Sequence, residues 1–389
     1  MLTLLKNAQV LAPEDRGIND ILMCDGMIAA MAPRIDLPAS LRVEVHDVGG
    51  DYVVPGFIDQ HVHLIGGGGE AGFVSRTPEV TLTNITRWGI TTVVGCLGTD
   101  GITRHPESLL AKARSLAHEG ISAYMYVGSY EVPPPTITGS VRSDIVLIGE
   151  IIGAGEIAVS DHRSSQPSIE DLGKLAAECR VGGMLSGKAG VLHLHIGDGK
   201  GALDPLVEVV ETSDIPIAQI IPTHVNRNPY LFESSIEWGH RGGFIDITSG
   251  VSPAEGFGRA IKPSTALKKA LDSGVPAHLI TMSSDGNGSM PAFNDRGDLE
   301  GLLVASLSSL YREFVDAVIL EGIPVGTALR VITKNVACGL RLYPRKGCIG
   351  IGGDADLVVL DANLAIKQVW ARGRLMADSE GHIVKGTFE

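Results

Sequence analysis

The chain has 389 residues, room for two or three average domains, but an α/β barrel takes about 200 to 250 residues as one, so two unequal domains are expected. Its 49 glycines are well above the usual share of about 7 % and follow no three-residue period, which excludes collagen, while 44 % hydrophobic residues can bury a large core. A net charge of −13 repels phosphate backbones and anionic membranes, so neither nucleic acid nor a membrane surface is an expected partner.

The chain starts Met1-Leu-Thr-Leu-Leu-Lys6, without a basic region or a long apolar stretch, and no run of 18 apolar residues follows, so a cytoplasmic protein is expected. Residues 1–55 carry short apolar runs such as Val53-Val54 between Gly, Asp and Asn turns, the pattern of antiparallel strands. β-branched runs then alternate with longer amphipathic segments, as in βα units around a parallel sheet. Strands are expected at Phe57–His61, Thr91–Gly95, Ser122–Val127, Glu156–Ser160, Val191–Ile196, Ile220–His224, Phe244–Thr248 and Leu279–Ser283. Eight such strands point to a (β/α)8 TIM-like barrel over residues 56–344. A helix is expected from Pro106 to Gly120, with proline at its start and glycine at its stop, and another over Ser168–Cys179. Residues 345–389 return to strand patterning at Leu357-Val-Val-Leu360 and Val369-Trp370, after a Gly352-Gly-Asp-Ala-Asp356 turn. The two ends, 1–55 and 345–389, are expected to pack as one small β-sandwich domain.

His61-Val-His63 sits at the C-terminal end of the first barrel strand, where alternation sends both imidazoles to one side. Glu156 on the fourth strand, His195 on the fifth, His224 on the sixth and Asp285 after the eighth fall at equivalent strand ends, where barrel active sites lie. Any one of these histidines alone would read as a core residue satisfying a local hydrogen bond. Together they form a set of N and O donors suited to zinc and similar divalent ions. The five cysteines are scattered and never in a CxxC, so reduced thiols are expected and the metal is assigned to His and carboxylate. Two other motifs are set aside. The glycine run 67–72 fits a dinucleotide fingerprint by letter but precedes no convincing helix, and residues 182–188 resemble a P-loop yet have Ala189 where Ser or Thr would hold magnesium.

With Pro55-Gly-Phe-Ile-Asp-Gln-His61-Val-His63, the late single histidines, Asp285 and Gly352-Gly-Asp-Ala-Asp-Leu357, the chain resembles the amidohydrolase superfamily. Within it, Gly66-Gly-Gly-Gly-Glu70-Ala-Gly, Leu97-Gly-Thr-Asp100, Thr136-Ile-Thr-Gly139, Ser160-Asp-His-Arg163, Pro222-Thr-His-Val-Asn-Arg227-Asn and Ser283-Ser-Asp285-Gly-Asn-Gly-Ser289 are similar to the isoaspartyl (β-aspartyl) dipeptidases, over nearly the whole chain. The resemblance implies a zinc-dependent peptidase acting on dipeptides such as β-Asp-Leu. It implies two Zn2+ per chain held by His61, His63, His195, His224 and Asp285, with a bridging hydroxide and Asp285 as proton shuttle. Tyr130 would stabilise the oxyanion and Glu70 would pair with the substrate ammonium. Gly68, Thr99 and Ser289 would bind the α-carboxylate, and Arg163 and Arg227 the terminal carboxylate. A homo-oligomer is also implied, with an octamer as one form.

The chain departs from the many relatives that bridge their metals with a carboxylated lysine, because no lysine occurs between Lys112 and Lys174. Glu156 stands at the corresponding place and is expected to bridge instead, with Glu150 as the fallback and a mononuclear site as the alternative. Glutamate is shorter, so strand or metals must move inward, and Gly153-Ala-Gly155 permits such an adjustment. Two rival readings remain open at this stage: another amidohydrolase, either a cyclic amidase or an N-acyl amino acid deacylase, and a non-catalytic hydantoinase-like scaffold.

Overall fold

The computed structural model describes residues 2–293 and 299–389. The first five strands, β1 (Leu2–Leu11), β2 (Asp15–Cys24), β3 (Met27–Ala32), β4 (Val43–Asp47) and β5 (Tyr52–Pro55), precede the barrel. An Asp25-Gly26 pair turns β2 into β3, both residues taking the positive φ (49° and 81°) of a tight hairpin turn. The barrel strands follow as β6 (Phe57–Val62), β7 (Ile90–Gly95), β8 (Ser122–Val127), β9 (Ile151–Val159), β10 (Val191–Ile196), β11 (Ile220–Thr223), β12 (Ile245–Thr248) and β13 (Ile280–Ser283). After a β14 (Ser289–Phe293) and β15 (Leu299–Val304) hairpin, the chain ends in β16 (Leu357–Leu360), β17 (Ile366–Ala371), β18 (Arg374–Asp378) and β19 (Gly381–His382).

The barrel is TIM-barrel-like. Strands β6 to β11 form one parallel sheet in chain order and β12 pairs with β13. Val225 N donates to Asp246 O at 3.4 Å on one flank, and His63 N donates to Gly286 O at 2.9 Å on the other. Its strands are buried along nearly their whole length, which explains why they read as apolar runs rather than alternating ones.

Helices cover the outside. Pro106–Glu119 buries Leu109, Ala113 and Leu116 at helical spacing and ends at Gly120, as expected. The next long helix starts at the expected Ser168, which accepts from Asp171 N in a capping box, but runs on past Cys179 to Ser186 and stops at left-handed Gly187. The letters resembling a P-loop are thus this helix's last turns and exit. Gly183 is glycine for packing, since a Cβ there would lie 2.8 Å from Gly190 Cα.

Both chain ends enter one nine-stranded sheet, ordered β19-β18-β17-β16-β5-β1-β2-β3, with β4 also paired to β1. Ile28 N of β3 donates to Gly353 O at 2.9 Å, so the far edge curls back onto the segment leading into β16. The small core inside the curl holds Leu5, Val10, Ile21, Met23, Val53, Leu357, Val359 and Trp370. Val54, Val358 and Leu360 point the other way and join the barrel's core. The central strands β5 and β16 are therefore apolar on both faces. Buried Lys346 locks this junction, its ammonium 2.8 Å from Asp354 Oδ2 and 2.5 Å from Asp356 Oδ2. Among the described residues no helix is long and apolar enough to cross a membrane.

Candidate metal centre and adjoining cleft

All side chains of the cluster except Glu156 leave a barrel strand at or just beyond its C-terminal end. His61 lies in β6 and His63 one residue beyond it; His195 lies in β10; His224 and Asp285 follow β11 and β13 with φ of 64° and 56°. Glu156 is inside β9, at a bulge. Leu192 pairs with Ala154 and Leu194 with Ile157, so β9 spends one residue more than β10 there. A bulge re-aims side chains, and this one turns Glu156 to the barrel axis. Gly155 beside it has no room for a Cβ, which would fall 2.8 Å from His193 O.

The ring nitrogens away from the centre are fixed by neighbours. His61 Nδ1 is 2.9 Å from His193 Nε2, His224 Nδ1 is 2.8 Å from Thr248 Oγ1, and His195 Nε2 is 3.0 Å from Asp161 Oδ2. The opposite nitrogens face Glu156. Its Oε2 lies 3.1 Å from His195 Nδ1 and 3.4 Å from Nε2 of both His61 and His224, while Oε1 lies 3.6 Å from His63 Nε2. Asp285 Oδ1 completes the ring at 3.0 Å from His63 Nε2 and 3.5 Å from His61 Nε2.

Two groups emerge whose ligand atoms lie within 4.8 Å of one another: His61, His63, Cys96 and Glu156, and Glu156, His195 and His224. Glu156 belongs to both. His61 Nε2 is buried and has no hydrogen-bond partner, the condition of a donor atom waiting for an ion, and the imidazole and carboxylate donors fit a borderline divalent metal.

The electrostatics favour charge on the carboxylates. Burial opposes ionisation of Glu156, yet the His61 charge and the hydrogen bonds of His195 and His224 hold it well below the ordinary carboxylate range. Asp285 is likewise lowered against burial, by its His63 hydrogen bond and the surrounding imidazoles. His224 is pushed down to about 3 by burial and by the charge of His195, so it stays a neutral ligand at physiological pH. Burial and the charge of Glu156 drive the Tyr130 phenol well above its usual value, so its hydroxyl remains a donor.

A cleft opens over the cluster, lined among others by His63, Gly68, Glu70, Thr99, Tyr130, Arg163, Arg227, Asp285 and Ser289. Tyr130 OH lies 2.8 Å from His195 Nδ1, and the Arg163 guanidinium carbon sits 5.2 Å from the Tyr130 ring centroid. Arg163 grips Asp161 through two bonds, Nε to Oδ1 at 3.0 Å and Nη2 to Oδ2 at 2.8 Å. Glu70 Oε1 accepts from Thr99 Oγ1 at 2.8 Å and from Arg163 Nη1 at 3.3 Å. Arg227 has a buried Nε without a partner. Gly68, with φ of 74°, passes so close to Ser289 that a Cβ would meet the serine Cβ at 2.6 Å.

Glu150, the fallback ligand, is away from this centre. It precedes β9 and takes Arg114 Nε at 2.7 Å on the surface. Three residues absent from the sequence-based set join the site. Cys96 directly follows β7, a strand-end position that alternation alone could have flagged. Asp161 is the neighbour of the arginine that drew attention, and His193 stands two residues before His195 on the same strand, hence on the same side.

A sequence model of the amidohydrolase family matches residues 247–387. The chain is 41 % identical to the β-aspartyl dipeptidase from Fervidobacterium islandicum AW-1, solved in complex with β-Asp-Leu dipeptide, over 98 % of both chains with a TM-score of 0.89. An L-hydantoinase from Arthrobacter aurescens, 17 % identical with a TM-score of 0.66 over 99 % of this chain and 98 % of that one, shares the fold. A dihydroorotase from Solibacter usitatus is 30 % identical over 164 residues, 41 % of this chain and 35 % of that protein. The chain thus spans about a third of the length of the curated dihydroorotases it matches.

Proposed function

The chain belongs to the amidohydrolase family, and from that premise we propose that it is a zinc-dependent isoaspartyl dipeptidase on a (β/α)8 barrel, with two Zn2+ per chain sharing Glu156. One observation carries the reading: the cleft above the His/Glu cluster presents Glu70 beside Arg163, 3.3 Å apart, with Arg227 on its wall. A β-aspartyl dipeptide is a zwitterion with one ammonium and two free carboxylates. It exchanges the Glu70–Arg163 contact for two of its own, ammonium to Glu70 and terminal carboxylate to the guanidinium forks of Arg163 and Arg227. Thr99, Ser289 and the backbone of Gly68 take the α-carboxylate.

Two divalent ions, when bound, supply a nucleophilic water at neutral pH and polarise the scissile carbonyl. His61, His63, His195 and His224 would hold them, with Glu156 between. Asp285, kept ionised beside His63, accepts the proton of the attacking water and passes it to the leaving amine. Tyr130, kept protonated by its burial, donates to the oxygen that becomes negative.

Metal content per chain and hydrolysis of β-Asp-Leu, α-Asp-Leu and dihydroorotate by the purified protein test the reading. Two zinc ions and cleavage of β-Asp-Leu, lost in Glu70→Gln, are expected. Turnover of dihydroorotate alone would make it a cyclic amidase, one ion per chain would remove Glu156 from its bridging role, and a metal-free inactive protein would make it a scaffold.

A further inference from the structure

We propose that Arg104 is a positioning residue for the substrate's α-carboxylate: it turns the peptide between Gly67 and Gly68 so that the Gly68 N–H faces the cleft, and it places a buried positive charge behind that donor. The inference rests on the substrate reading above. Arg104 stands two residues before the helix at Pro106, is only 4 % exposed, and reaches under the glycine loop that carries Glu70. A guanidinium has five N–H donors, and five acceptors surround this one. Nε donates to Ile65 O at 3.2 Å, Nη1 to Gly68 O and Asp100 Oδ2, both at 3.4 Å, and Nη2 to Gly67 O at 3.0 Å and Thr77 O at 3.2 Å. Four of the five are backbone carbonyls, so the buried cation chiefly holds a loop.

Peptide geometry carries the consequence. The Gly67–Gly68 peptide is trans, so its N–H points opposite to its C=O. With that carbonyl on Arg104 Nη2, the Gly68 N–H is directed away from the guanidinium, and Gly68 lines the cleft beside Ser289. Among the described residues the Gly66 and Gly67 N–H groups have acceptors, His63 O at 2.9 Å and Thr77 Oγ1 at 2.7 Å, whereas the Gly68 N–H has none. The fit also demands glycine at 66, where a Cβ would lie 2.2 Å from Thr77 O and 3.0 Å from Arg104 Nη2. A peptide whose carbonyl is polarised by a cation donates more strongly through its N–H. In a β-aspartyl dipeptide the α-carboxylate and the ammonium share one carbon, so Gly68 and Glu70, two residues apart on one loop, meet both. Lysine has three donors on a point charge and cannot span the same carbonyls.

β-Ala-Leu differs from β-Asp-Leu only in lacking the α-carboxylate, so the ratio of kcat/KM for the two dipeptides, measured on the zinc-loaded enzyme, reads this contact alone. From wild type to Arg104→Lys the preference for β-Asp-Leu should shrink about ten- to 150-fold, the size of one charge-assisted hydrogen bond, with the loss in KM. A general loosening of the loop lowers both substrates alike; a ratio unchanged in the variant, or near one in the wild type, overturns the assignment alone. A wild type that does not cleave β-Asp-Leu overturns the substrate reading and this assignment with it. If the variant does not fold, or β-Ala-Leu turns over too slowly to measure, a crystal structure of the wild type with L-aspartate decides. Its α-carboxylate within about 3.2 Å of Gly68 N, with Gly67 O still on Arg104, supports the assignment, and an α-carboxylate bound elsewhere refutes it.

Discussion

Asp161→Asn keeps the side chain's shape and removes a charge shared by two parts of the site. The carboxylate accepts two bonds from Arg163, at 3.0 and 2.8 Å, and lies 3.0 Å from His195 Nε2. An amide has one acceptor oxygen, so its NH2 must face either the guanidinium or the imidazole, and at least one charge-assisted bond is lost. Such a bond contributes about 1.5 to 3 kcal/mol, equivalent to a loss of about ten- to 150-fold in kcat/KM. In the proposed function Arg163 binds a part of the substrate that does not react, so the loss is expected in KM, with kcat nearly intact at saturating zinc. His195 loses its carboxylate partner in the same variant, and losing such a support typically weakens metal binding by about 10- to 100-fold. Steady-state kinetics on β-Asp-Leu at saturating zinc give the first effect, and competition with a chromophoric chelator gives the second. If KM and zinc affinity both stay at wild-type values, Asp161 positions neither group and the reasoning fails.

Tyr130→Phe removes a hydroxyl that stays protonated in its buried setting; kcat should fall by about 10² to 10³, and an unchanged kcat would take Tyr130 out of the mechanism. Lys346→Met leaves two carboxylates buried without their ammonium and should cost about 3 to 5 kcal/mol at neutral pH by urea denaturation. The pH dependence has a definite sign. Burial opposes the charge of Asp354, but Lys346 holds its carboxyl below the ordinary 3.8, so its stabilisation is present above that value and is lost as pH falls through the lower, folded one. Lys346 is raised above 10.5 by Asp356 and Asp354 despite its burial, and its contribution fades as pH climbs through that raised value. The gap between wild type and variant should therefore be widest near neutrality and close in strong acid; a constant gap would show that the ion pair is not its source.

The barrel was legible because its strands are apolar throughout and are separated by helices whose proline starts and glycine or serine caps are written in the sequence. The strand ends that carry His61, His63, His195, His224 and Asp285 followed from the same pattern. The bulge in β9 did not, because a register shift depends on how β10 lies beside it; Glu156 could be placed by counting, but not its contact with four histidines. Cys96 was passed over because the scattered cysteines read as reduced thiols, although its place just after a strand was readable; the fold sets its sulfur 4.0 Å from His63 Nδ1. Asp161 and His193 act through other side chains, an arrangement that exists only in three dimensions. The run Leu357–Leu360 was recognised as strand, but its burial on both faces reflects the docking of the small sheet on the barrel, a tertiary fact with no local signature.

The pairing of β5 with β16 sets an order on how the chain is made. Val53 sits opposite Val359, so about 300 residues separate the two central strands of the small sheet. At a synthesis rate of about 5 to 20 residues per second, the apolar edge of β5 waits about 15 to 60 s for its partner. The β1 to β3 hairpins can form as soon as they leave the ribosome, but the sheet is completed only when the barrel is already out. During that interval nascent chains on one message share the same open edge. Bringing β5 and β16 closer along the chain, by circular permutation, would shorten that wait.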